Sequence, residues 1–235
     1  MITTTRALRE TNPMSMTDND EMTVERVQAL LAKERREARA AAKAFVAACA
    51  GDDPDALTDA VDLIETTVSD WRGAMYGVGK LPTVHSAIQE AFLPIWVQYK
   101  MLPLHVGSRM VLARALRKLL PGQYEGPPLR LFRGASGRER KTRAYGFSWT
   151  TRQDMARQFA EHWRRAAHGG VVFETTATAH AVLLIREEGA SYDEGEVVLD
   201  PFALSRVRTI DILSAETRHG PLGSASGPVH GSPAG

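Results

Sequence analysis

The chain has almost no cysteine: Cys49 is the only one among its 235 residues. A single thiol excludes an intrachain disulfide framework, an all-cysteine metal cluster and a Cys-x-x-Cys redox pair. Cys49 lies at helical spacing in an alanine-rich segment, which indicates a packed side chain. This cysteine usage is typical of a protein from a reducing, cytoplasmic compartment.

The chain also lacks an excess of charge of either sign and a long apolar run. Its 29 Lys and Arg residues balance 28 Asp and Glu residues, so no global field recruits nucleic acid or an anionic membrane. The longest apolar region, residues 91–104, is interrupted by two prolines, a glutamine and a lysine, and it predicts no transmembrane helix. Residues 1–21 lack the apolar stretch that a signal peptide requires. We therefore expect a cytoplasmic protein with no membrane partner and no clear nucleic-acid signal.

Several common catalytic motifs are absent or incomplete. No Gly-x-Gly-x-x-Gly follows a predicted strand, so a Rossmann dinucleotide site is not supported. The segment Gly77-Val78-Gly79-Lys80 resembles the end of a phosphate-binding loop, but Leu81 stands where Ser or Thr is required. No Gly-x-Ser-x-Gly elbow is present, which leaves a Ser-His-Asp triad open without favouring it. The seven histidines show no metal-ligand spacing, so no metal is predicted.

A basic run occupies a predicted loop in the second half of the chain. It consists of Arg138, Arg140, Lys141 and Arg143. No aromatic residue is interleaved with these side chains. A solvated loop therefore explains the run at least as well as contact with a phosphate or a target does.

Residues 21–122 have helical periodicity. The pattern predicts one helix over Val24–Ala50. A second begins after Asp53 as N-cap, with Pro54 at the first helical position, where a missing N–H does no harm. Its apolar stripe continues at spacings of four and three as far as Met75. Two further helices complete this half, and Pro94 is expected to kink or split the first of them.

After residue 128 the pattern changes to short strands. The candidates are residues 129–133, 146–149, 171–175, 181–186, 196–199 and 207–213. One helix interrupts them, with Phe159 among the residues of its apolar face. Six strands with one helix predict an α+β fold with a mixed or antiparallel sheet. We divide the chain into a disordered lead-in (1–20), a helical lobe (21–122), a strand-rich core (123–215) and a flexible tail (216–235).

Two of the predicted strands carry polar side chains suited to binding. Arg133 ends the first strand before Gly134; an exposed guanidinium there can bind a phosphate with two hydrogen bonds, and a glycine lets a ligand approach closely. An arginine paired to a surface acid is the alternative. Ser148 and Thr150 alternate on the next strand, so both hydroxyls face one way. Capping of the following helix by Thr150 or Thr151 would explain the threonines but not Ser148.

A third motif is the acid pair Glu194 and Glu196, which flanks a glycine at the start of an apolar strand. Alternation along a strand directs both carboxylates to one face. Two acids projecting from the rim of a core strand indicate a site, and a solvated loop is the alternative.

The order of the three motifs along the chain, an arginine, then a serine, then a pair of acids, resembles the motif order of the ADP-ribosyltransferase family. The chain is similar to its arginine-serine-glutamate branch, which includes cholera-type and clostridial toxins and related bacterial and phage proteins. The resemblance covers about residues 124–213 and implies a β-sandwich core. The motifs that carry it are Phe132-Arg133-Gly134, Ser148-Trp149-Thr150 with Ala156, Phe159 and Ala160 downstream, and Glu194-Gly195-Glu196.

The resemblance implies NAD as co-substrate and a role for each matching residue. Glu196 would hold the ribose and stabilise the oxocarbenium-like state formed when the bond to nicotinamide breaks. Ser148 would orient Glu196 and contact the ribose, and Arg133 would bind an NAD phosphate or ribose. Gly134 would offer its backbone to the nicotinamide amide, and Phe159 would stack near the nicotinamide.

Two further positions, Glu194 and Thr150, belong to this pattern. Glu194 would position and activate the acceptor, as the family does for arginine side chains. The chain departs from the commonest serine motif in having Trp149 in the middle and Thr150 third, so Thr150 is a candidate for cofactor binding without a defined role. We therefore expect an NAD-dependent mono-ADP-ribosyltransferase, toxin-like, whose macromolecular acceptor is a protein arginine. An NAD glycohydrolase and a catalytically inactive interaction module of the same fold are the alternatives.

Overall fold

The computed structural model describes residues 23–122, 124–166, 168–186 and 195–215, and the first of these ranges is helical. Its helices are α1 (Val24–Ala50), α2 (Pro54–Thr66), α3 (Trp71–Val78), α4 (Ser86–Gln98), α5 (Leu102–Val106) and α6 (Arg109–Leu119). The predicted bounds of α1 are confirmed, and the Asp53 carboxylate caps α2 by accepting from the Asp55 N–H at 2.9 Å. Pro94 lies inside α4, which continues past it.

The single long helix predicted from Pro54 to Met75 is wrong, because the chain breaks between α2 and α3. The Thr67 hydroxyl bonds back to the Leu63 carbonyl at 3.0 Å where α2 ends. Asp70 then starts α3 by accepting from the Gly73 N–H at 2.8 Å. The apolar spacing continues across the break, so periodicity alone does not reveal it.

The helices enclose one apolar core. Its largest fully buried side chains include Phe45, Trp71, Phe92 and Leu112. The Trp71 ring packs edge-on to Phe45, with centroids 5.4 Å apart. Cys49 is fully buried in this core, as predicted, and burial raises the pKa of its thiol to about 12.

Six strands form one antiparallel sheet in the described chain. They are β1 (Leu129–Ser136), β2 (Ser148–Thr150), β3 (Gly170–Ala177), β4 (Val182–Ile185), β5 (Glu196–Leu199) and β6 (Val207–Leu213). Their order across the sheet is β4-β5-β2-β1-β3-β6, and every neighbouring pair is antiparallel. The α+β class is therefore confirmed.

The sheet has two three-stranded halves that meet at one register pair. Phe132 of β1 lies opposite Thr150 of β2, whereas β1 and β3 pair along all of β1. The β-sandwich implied by the resemblance would consist of two stacked sheets. Among the described strands all six belong to a single sheet, which the one-pair junction divides into β4-β5-β2 and β1-β3-β6.

Two further helices accompany the sheet: α7 (Gly137–Thr142) and α8 (Gln153–His162), the latter extended by a 3-10 turn (Trp163–Arg165). Helix α7 contains most of the basic run that the sequence placed in a loop, so that prediction is wrong. Helix α8 packs on β1 and β3, where Ala156 and Ala160 are buried against Phe132. The predicted cap is also wrong: Arg152 is the N-cap of α8, and the Thr150 hydroxyl accepts from its N–H at 3.0 Å.

The helical lobe and the sheet share their packing. Phe147 and Val198 belong to the same buried cluster as the helices. The Arg117 guanidinium of α6 binds the carboxylate of Asp200, which is 2% exposed, at the end of β5. Within the part of the chain that the structure describes, no helix is long and apolar enough to cross a membrane.

Candidate active site

The three strands that carry the sequence motifs are neighbours in the sheet. The order β5-β2-β1 places the strand of Glu196 beside that of Ser148, and the strand of Ser148 beside that of Arg133. Strands β3 and β4 lie between β2 and β5 along the chain but not in the sheet. The fold therefore brings together motifs that are spread along the sequence from Arg133 to Glu196.

Arg133 is held by two neighbours. Its Nε and Nη2 donate to the two carboxylate oxygens of Glu139, at 3.1 and 2.9 Å, and its Nη1 donates to the Ser148 carbonyl at 2.7 Å. The Arg133 side chain is 19% exposed and that of Glu139 is 20% exposed. Arg133 and Ser148 are thus in direct contact, through the backbone of the serine.

Glu139 is a site residue that the sequence did not reveal. Besides binding Arg133, its carboxylate accepts from the Gly146 N–H at 3.2 Å, just before β2. It links the end of β1 to the start of β2. The available signal was that Glu139 is the only acid within the basic run.

Glu196 lies directly opposite Thr150 in the β2–β5 pair, and Ser148 lies opposite Val198. Diagonal neighbours of this kind are about 7–8 Å apart at their Cα atoms, so Ser148 and Glu196 lie in one small region. The Ser148 hydroxyl makes no hydrogen bond to another described residue, so the expected contact with Glu196 is not formed. The nearest registered neighbour of Glu196 is Thr150, which is 5% exposed.

Arg186, at the end of β4, was also missed from the sequence. Its Nη1 lies 3.7 Å from the Glu196 carboxylate, whose side chain is 19% exposed, and its N–H donates to the Glu196 carbonyl at 3.0 Å. The ion pair holds the carboxylate at the rim of the sheet. Only the pairing of β4 with β5 brings the two residues together.

The glycine between the two glutamates has a structural requirement. Gly195 adopts φ +57°, a left-handed conformation that other residues rarely adopt. A Cβ there would also lie 2.5 Å from the Thr151 hydroxyl oxygen. Its carbonyl accepts from the Thr151 N–H at 3.1 Å, which ties the start of β5 to the end of β2. Glu194 lies outside the described residues.

Gly134 and Phe159 lie side by side. A Cβ on Gly134 would overlap the Ala156 carbonyl oxygen and would lie 2.7 Å from the Phe159 Cβ. The Phe159 side chain is 41% exposed, although its spacing placed it on the apolar face of α8. An exposed aromatic ring beside a strand glycine is suited to stacking on a planar ligand.

The site does not coincide with the depressions found on the helical lobe. One, of about 500 Å³, lies between α1 and α2, and another, of about 560 Å³, lies beside His85. Neither is lined by the motif residues. Among the residues that the structure describes, no group of three His, Cys, Asp or Glu side chains is arranged to hold a metal ion.

In comparisons with known proteins, no family model, no curated protein and no solved structure matches this chain.

Proposed function

We propose that the protein is an NAD-dependent mono-ADP-ribosyltransferase. The observation that supports this most strongly is the adjacency of β5, β2 and β1: Glu196 and Ser148 share the face of the sheet that Thr150 and Phe132 occupy, and Arg133, which alternation directs to the other face, reaches the Ser148 backbone. A reaction on one substrate requires its groups within hydrogen-bonding reach of that substrate. Strand order is not encoded in the motifs themselves, so this arrangement supports the proposal independently of them.

The residues around Gly134 form the NAD-binding part of the proposal. Arg133 has five N–H donors, and three of them are used by Glu139 and Ser148. Those bonds orient the guanidinium and leave two donors for an NAD phosphate or ribose. Phe159 would cover the nicotinamide ring, and the Gly134 backbone would bind its amide.

In the proposed reaction the bond between the ribose anomeric carbon and the nicotinamide nitrogen breaks. Its electron pair leaves with nicotinamide, which departs as a neutral molecule. The acceptor nucleophile forms the new bond to the anomeric carbon and loses a proton to a base, for which Glu194 is the candidate. Glu196 would stabilise the positive charge that develops on the ribose before the new bond forms.

One contact favours an alternative. The carboxylate of Glu139 occupies the face of Arg133 that an NAD phosphate would otherwise bind in a two-bonded geometry. A module that kept this fold without turning over NAD would be consistent with that pairing. A measurement of NAD binding by the wild-type protein therefore separates the transferase from the inactive module.

The deciding experiment is calorimetric titration of NAD into the wild type and the Arg133→Ala variant. We expect saturable binding by the wild type and at least a tenfold (about 1.4 kcal/mol) loss in the variant. Arg35→Ala, which removes an exposed arginine from α1, serves as the matched control. Absence of binding by a wild type that unfolds cooperatively would favour the inactive module.

A second experiment separates transfer from hydrolysis. With NAD labelled in its adenylate part, a transferase places label on protein in a cell lysate. A glycohydrolase, in which water is the acceptor, leaves the label as free ADP-ribose. Abundant free ADP-ribose with no labelled macromolecule would contradict the transferase proposal while leaving NAD cleavage intact.

A further inference from the structure

A strongly basic surface lies beside the candidate site, on a chain whose net charge is only +1. We define this basic surface by seven side chains from α7, from the 3-10 turn after α8, and from the loop before β3. They are Arg138, Arg140, Lys141, Arg143, Arg164, Arg165 and His168. Within residues 136–144 and 163–169 the only acid is Glu139, and it faces Arg133.

The cations of this surface are largely uncompensated. Arg164 binds Glu161 at 3.2 Å. The five remaining Arg and Lys residues are exposed, and none of them forms an ion pair with another residue that the structure describes. Elsewhere in the fold, exposed arginines such as Arg130 and Arg208 are paired with a buried carboxylate. The basic surface therefore offers positive charge to a partner.

Hydrogen bonds hold the two parts of the surface together. The Gly137 N–H at the start of α7 donates to the Gly169 carbonyl at 2.9 Å, and the Gly169 N–H donates to the Ala166 carbonyl at 3.0 Å. The Lys141 Nζ lies 3.5 Å from the His168 Nδ1. The charges of α7 and of the 3-10 turn thus form one surface that exists before any partner binds.

Trp163 adds an aromatic platform to this surface. It begins the 3-10 turn that carries Arg164 and Arg165, and it is 45% exposed. One helical turn earlier is Phe159, which is also exposed. Side chains four residues apart on a helix are neighbours, so the two rings project from the same side of α8 and the turn that extends it.

We propose that the basic surface and Trp163 bind single-stranded nucleic acid. Proteins bind single strands by combining a positively charged track for phosphates with aromatic rings on which bases stack. The cations here supply the track, and a half-exposed indole supplies the ring. A duplex keeps its bases stacked and out of reach of such a ring, which is why a single strand is favoured. The proposal concerns binding alone and does not depend on NAD chemistry.

Arg143 supports a functional origin for these charges. It ends α7 in a left-handed conformation with φ +51°, and it is the one non-glycine residue with positive φ that the described chain contains. Glycine occupies such positions without strain, whereas other residues are strained there. An arginine at this position is therefore unfavourable for folding, and its charge adds to the basic surface.

The test is fluorescence anisotropy with a labelled oligothymidylate of about 20 nucleotides, in the absence of NAD. We expect saturable binding that weakens as salt is raised from about 50 to 200 mM. If about four to six phosphates are contacted, the logarithm of the binding constant falls against that of salt with a slope of about −3 to −4. Intrinsic tryptophan fluorescence, titrated in parallel, should be quenched.

Variants separate the charge contribution from the aromatic one. Trp163→Ala should lower affinity about 5- to 100-fold without changing the salt slope, because stacking releases no counterions. The double variant Arg138→Ala/Arg140→Ala should reduce the magnitude of the slope by about 1.4. Its matched control is Arg35→Ala/Arg36→Ala, which removes the same charge from exposed positions on α1 and should bind like the wild type.

Arg143→Gly distinguishes binding from stability. Relief of the left-handed strain should raise the melting temperature by about 2–4 °C, while affinity falls and the salt slope shrinks by about 0.7. Absence of saturable binding would overturn the proposal, as would wild-type affinity in Trp163→Ala. Equal losses in the α1 control, or equally tight binding to polyglutamate or to anionic phosphatidylserine vesicles, would also overturn it, because they would identify a general polyanion or membrane surface.

Discussion

Replacing Gly134 by alanine tests how α8 is held over the candidate site. The added Cβ would overlap the Ala156 carbonyl oxygen and lie 2.6 Å from the Ala160 nitrogen. Both are backbone atoms of α8, so no side-chain rotation can relieve the overlap and the helix must move. Overpacking a core usually costs about 1–3 kcal/mol, and we expect about 3 kcal/mol because the neighbour is a rigid helix. For a chain of this size the melting temperature should fall by about 6–12 °C.

The assay is thermal unfolding followed by circular dichroism, with Gly122→Ala as the matched control. At Gly122 an added Cβ would meet nothing closer than the Val182 carbonyl oxygen at 3.9 Å, so the control should stay within about 0.5 kcal/mol of the wild type. Because Phe159 belongs to the displaced helix, Gly134→Ala should also weaken NAD binding. Equal melting temperatures for the two variants would show that α8 does not pack on β1 at this position.

Three further predictions concern stability and reactivity. Arg117→Ala should destabilise the protein by about 2 kcal/mol in urea titrations, because it leaves the buried Asp200 carboxylate without its charged partner. Unchanged stability would contradict the contact between the helical lobe and the sheet. The bond from Arg130 lowers the pKa of Glu174 below its usual range, so its contribution to stability is present above the ordinary carboxyl pKa and is lost as pH falls through the lowered one. Unfolding titrations across acid pH should show this loss, and Glu174→Gln should flatten it; identical profiles would refute the assignment. Cys49 should resist thiol reagents in the native protein, since a pKa of about 12 leaves about one thiolate in ten thousand at pH 8; labelling as fast as in urea would show that it is not buried.

The sequence predicts well the elements whose signals are local. The N-cap Asp53 and Pro54 fix the start of α2 within a few residues, and side-chain capping depends on nothing further away. The break after Thr66 was missed because the apolar spacing runs through it. Val68 continues that spacing and yet is 55% exposed, so the period persists where the helix does not.

The arrangement of the candidate site depends instead on contacts between elements that are distant in sequence. Arg133, Ser148 and Glu196 were found as short motifs, but their adjacency depends on the strand order β5-β2-β1, which no local pattern contains. Glu139 and Arg186 were missed because their roles arise from contacts between elements. An acid within a basic run looks solvated until the fold turns it toward Arg133. Charges at this site become interpretable only once their partners are known.

The measurement that tests the central proposal most directly is nicotinamide release from NAD by the wild type and by Glu196→Gln. We predict that the wild type releases nicotinamide and that the variant does so at least about 100-fold more slowly, since it loses the charge that stabilises the oxocarbenium-like state. Glu90→Gln, which changes an exposed glutamate of α4 in the same way, should retain wild-type activity, and all three proteins should unfold at similar temperatures. No release by the folded wild type, or equal release by Glu196→Gln, would contradict the proposal.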